Sequence, residues 1–123
     1  MKKILVVDDV HDLADSTAAL FDLLGYETRT AYNGRDALDA VAKEVPDAIV
    51  LDLHMPVLDG FEAARAIRDN HPSPPPLIVA MSALAGPAME NTLRECGFDH
   101  YVTKPADVLS LVELLEQRAD KPT

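Results

Sequence analysis

The stretch Ile4-Leu5-Val6-Val7-Asp8-Asp9 decides the fold. Its apolar residues suit a strand buried on both faces, and it ends abruptly in two adjacent carboxylates. Ala48-Ile49-Val50-Leu51 ends the same way, in Asp52. All strands of a parallel sheet run in one direction, so their C-terminal ends share an edge. If these two strands are neighbours, three acids meet in one crevice. Like charges that close repel, which selection for stability alone would avoid, and a hard divalent cation makes the arrangement useful.

Outward from these runs, strand-length apolar segments alternate with helical periodicities. Lys3–Val7 is the first strand. Leu13, Thr17, Leu20, Phe21 and Leu24 fall at helical spacing before Gly25. Tyr26–Ala31 reads as a polar edge strand, and Asn33-Gly34 as a turn. Ala37, Leu38 and Val41 mark a short helix, and Ala48–Leu51 the third strand. Asp59-Gly60 opens a helix with Phe61, Ala64 and Ile67 inward. The proline-rich run His71 to Pro76 is a stiff connector, because proline lacks the amide donor and constrains its predecessor. Leu77–Met81 is the fourth strand. Met89, Leu93 and Cys96 mark a helix ended by Gly97, and Cys96 reads as a small core residue. His100–Thr103 is the fifth strand, and Leu109, Val112 and Leu115 or Glu116 lie on the last helix. Five β/α units imply an α/β fold: a doubly wound parallel sheet in a three-layer sandwich. One domain over 1–119 is followed by a short tail, 120–123.

The chain has 123 residues, a formal net charge of −10 and one cysteine. That length suits one domain with one core. The acidic balance argues against nucleic-acid or anionic-membrane partners. One cysteine excludes an internal disulfide. No run approaches the roughly 20 apolar residues of a membrane span, and the apolar stretch after Lys2-Lys3 is too short for a signal peptide. No glycine-rich phosphate loop follows the first strand, which argues against a nucleotide-binding module.

Ligands in open α/β sheets bind outside the strands' carboxyl ends. Those ends here carry Asp8-Asp9, Asp52, Ser82 and Lys104-Pro105. Mg²⁺ suits such a set, since it takes oxygen ligands and commonly one or two carboxylates plus phosphate oxygens. Ser82 can donate to a phosphoryl oxygen and Lys104 can offset its charge. Each group thus has a role in phosphoryl transfer, where catalysis is mostly positioning and charge stabilisation.

Asp8-Asp9, Leu23-Leu24-Gly25-Tyr26, Ala31-Tyr32-Asn33-Gly34 with Ala37-Leu38, Asp52-Leu53-His54-Met55-Pro56 with Asp59-Gly60, Met81-Ser82-Ala83, and Gly97 through Pro105 occur in order at fitting intervals. In this the chain resembles the receiver domains of two-component response regulators, over nearly its whole length and in a single-domain, chemotaxis-regulator-like form. The resemblance implies a flavodoxin-like sandwich with strand order 2-1-3-4-5, which sets the first and third strands side by side. Receivers are a known example of that strand order. The resemblance also implies that Asp52 accepts a phosphoryl group from a phosphohistidine on a sensor histidine kinase or phosphotransfer protein. Asp9, Asp52 and the main-chain carbonyl of His54 would bind Mg²⁺, with Asp8 acting through water. Lys104 would pair with Asp52 and then with the phosphoryl group, and the Lys104–Pro105 bond would be cis. Ser82 would swing to the phosphoryl oxygens and Tyr101 turn inward behind it. That movement would change the surface formed by the fourth helix, fifth strand and fifth helix, where a downstream protein docks.

The expectation is therefore a cytoplasmic signalling switch, catalysing only its own phosphorylation and dephosphorylation and not an enzyme in the usual sense. A phosphorylation-independent pseudo-receiver and a small Mg²⁺-dependent phosphohydrolase are the rivals. Hydrolases of the haloacid-dehalogenase type place a second aspartate two positions after the first, where this chain has Val10. For His54 the simplest expectation is that only its backbone matters, and the alternative is that its imidazole reaches the phosphoryl group or a nearby water. Leu84, apolar where many receivers are polar, is expected to hinder the attacking water. Met1 set directly before the first strand favours a stand-alone receiver over a piece of a larger regulator.

Overall fold

The structure, a computed structural model, describes residues 2–55, 58–71, 75–82, 87–103 and 108–120, with side chains for all of these except 87–90 and 117–120. The expectations for Lys104, Pro105 and the bond between them, for Leu84 and for the proline run at 72–74 lie outside that description, as does the side chain of Met89.

The elements alternate as the periodicities require: β1 (Lys3–Val7), α1 (His11–Leu23), β2 (Glu27–Ala31), α2 (Gly34–Lys43), β3 (Ala48–Asp52), α3 (Gly60–Asn70), β4 (Leu77–Ser82), α4 (Pro87–Cys96), β5 (His100–Thr103) and α5 (Val108–Asp120). The sheet has five parallel strands in the order β2-β1-β3-β4-β5. Side chains alternate across each strand and so feed two apolar layers. Leu5, Val7, Ile49, Leu51, Ile78 and Ala80 face Ala37 and Val41 of α2, Ala63, Ala64 and Ile67 of α3, and Leu93 and Cys96 of α4. Ile4, Val6, Val50, Val79 and Met81 face Ala14, Ala18 and Phe21 of α1 with Leu111 and Leu115 of α5. Strands buried on both sides need unbroken apolar runs, which is why β1, β3 and β4 were legible as such. The edge strand β2 is only partly buried and tolerates Glu27, Thr28 and Arg29.

Two helices end in the same way. Gly25 (φ +96°) follows α1 and Gly97 (φ +102°) follows α4. The amides of Gly25 and Tyr26 donate to the carbonyls of Asp22 and Phe21, and those of Gly97 and Phe98 to Arg94 and Leu93. Both are Schellman closures, which need a left-handed residue and therefore favour glycine. Gly97 has a second constraint, because an added Cβ would lie 2.6 Å from Cγ of Arg68.

Arg68 ties the end of the sheet remote from the acids. Its Nε donates to the carbonyl of Gly97 (2.8 Å), one Nη to that of Pro76 (2.6 Å) and the other to the Asp99 carboxylate (2.7 Å). Asp99 also accepts from the amide of Ile78 at 2.8 Å. One side chain of α3 thereby fastens the approaches to β4 and β5.

Two helix faces differ from the simplest reading of the apolar spacing. In α1 the residues pressed on the sheet are Ala14, Ala18 and Phe21, while Leu13 and Leu20 are about half exposed (50% and 47%). Small alanines let the helix approach the strands closely, and Phe21 fills the space at its end. In α5 the buried residues among those described are Leu111 and Leu115, and Leu109 is exposed.

Candidate functional site

Register brings the acids together. Val7 of β1 stands opposite Leu51 of β3, so the next residues, Asp8 and Asp52, emerge side by side at the C-terminal edge. Asp52 in turn faces Met81 of β4, which sets Ser82 one step further along the adjacent strand. Carboxylate oxygens of Asp8, Asp9 and Asp52 all lie within 4.8 Å of one another. Asp8, Asp52 and Ser82 are almost fully buried (2%, 3% and 1% exposed), and Asp9 is half-buried at the rim.

The backbone meets part of this charge. The amide of Val10 donates to Oδ1 of Asp8 (3.0 Å), and that of His54 to Oδ1 of Asp52 (3.2 Å). Val10 is the N-cap residue of α1 and offers no side-chain cap. The acids thus sit beside the start of a helix, where the dipole favours negative charge. Three clustered carboxylate oxygens, drawn from the loop after β1 and the end of β3, match the donor chemistry of a hard, oxygen-seeking divalent cation.

Gly60 allows the loop after β3 to fold back. A Cβ there would stand 2.5 Å from the carbonyl oxygen of Asp52 and 2.8 Å from Cα of Leu53. The amide of Gly60 also donates to the carbonyl of Leu53 at 3.1 Å. Asp59 caps the helix that follows by accepting from the amide of Glu62 (2.9 Å). The Asp59-Gly60 pair therefore does two things: it starts α3 and holds α3 against the backbone of Asp52.

Of the sequence-predicted site residues, Asp8, Asp9 and Asp52 come together, and Ser82 ends the strand beside Asp52. His54 follows Asp52 on the rim, its ring exposed, with Nε2 3.5 Å from Oγ of Ser82. Tyr101 is partly buried against the core layer of α2, α3 and α4. It also lines a cleft of about 220 Å³ with Leu93, Arg94, His100 and Leu114, between α4, β5 and α5.

The rim also holds a pair to which the sequence assigned no role, His11 and the motif residue Tyr32. The ring of His11, the first residue of α1, stacks on Tyr32 with centroids 3.9 Å apart and planes at 22°. The Tyr32 hydroxyl donates to Asp15 at 2.6 Å. Together they join the loop after β2 to the start of α1, beside the acids. Only the side-by-side placement of β1 and β2 makes them neighbours, and no spacing signal in the chain announces it.

Comparison with known proteins agrees with this geometry. Residues 4–116 match the family described as response regulator receiver domain. The regulatory protein AtoC of Escherichia coli (strain K12) is 37% identical over 119 residues. That match covers 97% of this chain and 25% of AtoC, so the chain spans about a quarter of that relative's length. The structure of the Vibrio cholerae chemotaxis protein CheY4 superposes with a TM-score of 0.88 at 29% identity, covering 95% of this chain and 98% of the other. The Francisella response regulator 1452 receiver domain gives a TM-score of 0.86 at 29% identity, covering 98% of this chain and all (100%) of the other. Sequence, topology and the grouped acids lead to the same place, and the chain belongs to the response regulator receiver domain family.

Proposed function

We propose that this receiver is a phosphorylation switch in which Asp52 takes a phosphoryl group from a phosphohistidine on a sensor kinase or phosphotransfer protein, in a Mg²⁺-dependent reaction. The observation that carries the reading is the convergence of Asp8, Asp9 and Asp52 within 4.8 Å at the C-terminal edge of the sheet. Receiver domains are signalling switches rather than conventional enzymes, and the chemistry proposed is limited to this chain's own modification and its reversal.

In that reaction an Oδ atom of Asp52 attacks phosphorus. The new O–P bond forms as the donor's N–P bond breaks, and the imidazole, protonated at its other nitrogen, leaves neutral with the electron pair. Asp9, Asp52 and the His54 carbonyl would hold Mg²⁺, with Asp8 acting through water. The bound ion would offset the charge of carboxylate and phosphoryl oxygens as they approach. The His54 amide, which donates to Oδ1 of Asp52, orients the carboxylate so that the other oxygen can attack. Ser82 would donate to a phosphoryl oxygen, and Lys104 would pair with it. Hydrolysis by water returns Asp52 and inorganic phosphate.

The phosphoryl group biases a two-state element that already exists. Ser82 and Tyr101 would carry the change to the face formed by α4, β5 and α5, where the cleft beside Tyr101 supports docking of a downstream protein. The compartment proposed is the cytoplasm. Among the described residues no helix is long and apolar enough to cross a membrane.

The test is intact mass after incubation with Mg²⁺ and a small acyl-phosphate donor. One added phosphoryl group is expected in the wild type and none in Asp52→Asn. A wild type that gains no mass, or a variant that gains as much, overturns the proposal.

A further inference from the structure

The His54 side chain has no part in the scheme above, yet it stands at a telling place. Its backbone amide is held by Asp52, so the ring springs from a point fixed relative to the nucleophile. The ring is exposed and does not fill the core. Its Nε2 nevertheless comes to 3.5 Å from Oγ of the buried Ser82, the hydroxyl proposed above to donate to a phosphoryl oxygen. The two side chains belong to the loop after β3 and to the end of β4, and they meet beside Asp52.

We propose that the His54 imidazole is a positioning residue for this receiver: through Nε2 it favours the resting orientation of the Ser82 hydroxyl, and phosphorylation replaces that contact with one from Ser82 to a phosphoryl oxygen. This rests on the proposed phosphorylation of Asp52. A separation of 3.5 Å is at the long end of hydrogen bonding. The contact is therefore a weak latch that a charge-assisted bond to a phosphoryl oxygen outcompetes. Its effect is to set how readily the resting state is left, without touching the reacting atoms.

The experiment follows phosphoryl uptake from a small acyl-phosphate donor in Mg²⁺, by intact mass, in wild type, His54→Ala, His54→Gln, Ser82→Ala and the double variant His54→Ala with Ser82→Ala. Loss of the latch should speed uptake about threefold in His54→Ala, the scale of one weak neutral hydrogen bond. His54→Gln, whose amide reaches toward the position of Nε2, should return uptake to the wild-type rate. In the Ser82→Ala background, His54→Ala should change nothing further. In the resting protein, the ring-proton resonances of His54 should move when Ser82 becomes Ala. Equal rates for wild type and His54→Ala overturn the proposal. So does an effect of His54→Ala that persists undiminished without Ser82, since the imidazole would then act directly on phosphoryl group or water. Unmoved ring resonances overturn it as well. If the wild type gains no phosphoryl group at all, the proposed function fails, and this inference with it.

Discussion

Replacing Asp9 by Asn should make the protein more stable in metal-free buffer and unresponsive to Mg²⁺. Oxygens of Asp8, Asp9 and Asp52 lie within 4.8 Å of one another. At that separation two unit charges repel by about 3.5 kcal/mol at an effective dielectric of ~20 and by about 0.9 kcal/mol in bulk water. Asp9 is half-buried, so each of its two repulsions falls between these limits. The amides of Val10 and His54 already offset part of the charge on Asp8 and Asp52. A net gain of about 1–3 kcal/mol is the reasonable expectation after that offset and solvent screening. For a domain of this size about 1 kcal/mol moves the melting temperature by roughly 4 °C, so Asp9→Asn should melt about 4–12 °C higher in chelator. The wild type should recover the deficit with metal, gaining about 1.4 kcal/mol when free Mg²⁺ is tenfold above its dissociation constant. Thermal unfolding by circular dichroism, with chelator and with millimolar Mg²⁺, reads both effects. Asp39→Asn, which removes the same charge from the exposed face of α2, should melt as the wild type does in chelator and keep its response to Mg²⁺. An Asp9→Asn protein no more stable than wild type in chelator, or one that still responds fully to Mg²⁺, would refute the reasoning.

Three further outcomes follow from the packing. Gly60→Ala should cost about 1–3 kcal/mol, because its Cβ must displace the backbone at Asp52 and Leu53; urea denaturation measures the cost, and phosphoryl uptake should fall with it. Arg68→Ala removes bonds to Gly97, Pro76 and Asp99, and the urea midpoint should drop by the equivalent of about 2–3 kcal/mol, the scale of charge-assisted bonds. Burial first, and then the hydrogen bond to Glu116, push the Tyr26 hydroxyl up to about 12. Against an unfolded value of about 10, the stability this confers is complete below pH ~10 and is lost as pH rises toward the folded value. Tyr26→Phe should lack that alkaline loss in urea midpoints measured across the range.

Much of the architecture was legible because the physics that writes it is local. A strand covered on both faces needs a contiguous apolar run, and β1, β3 and β4 each have one. A helix that closes in a Schellman turn needs a left-handed residue, and Gly25 and Gly97 stand where α1 and α4 end. Acids placed directly after two such strands could be read as converging, because parallel strands share their C-terminal edge. The grouping of Asp8, Asp9 and Asp52 follows from that reading.

What the amino-acid sequence determined by itself, then, is the order of elements, the parallel sheet and the acids at its C-terminal edge. Only the tertiary structure decided which stripe of α1 lies inward, because periodicity reports that a segment is helical and not which residues can approach a sheet most closely. Ala14 and Ala18 won that position over Leu13 and Leu20. It likewise decided that Arg68 spans three segments, that His11 meets Tyr32, and that the His54 ring reaches Ser82. Each of those contacts joins residues from different β/α units, and their meeting depends on strand order and register rather than on any spacing along the chain.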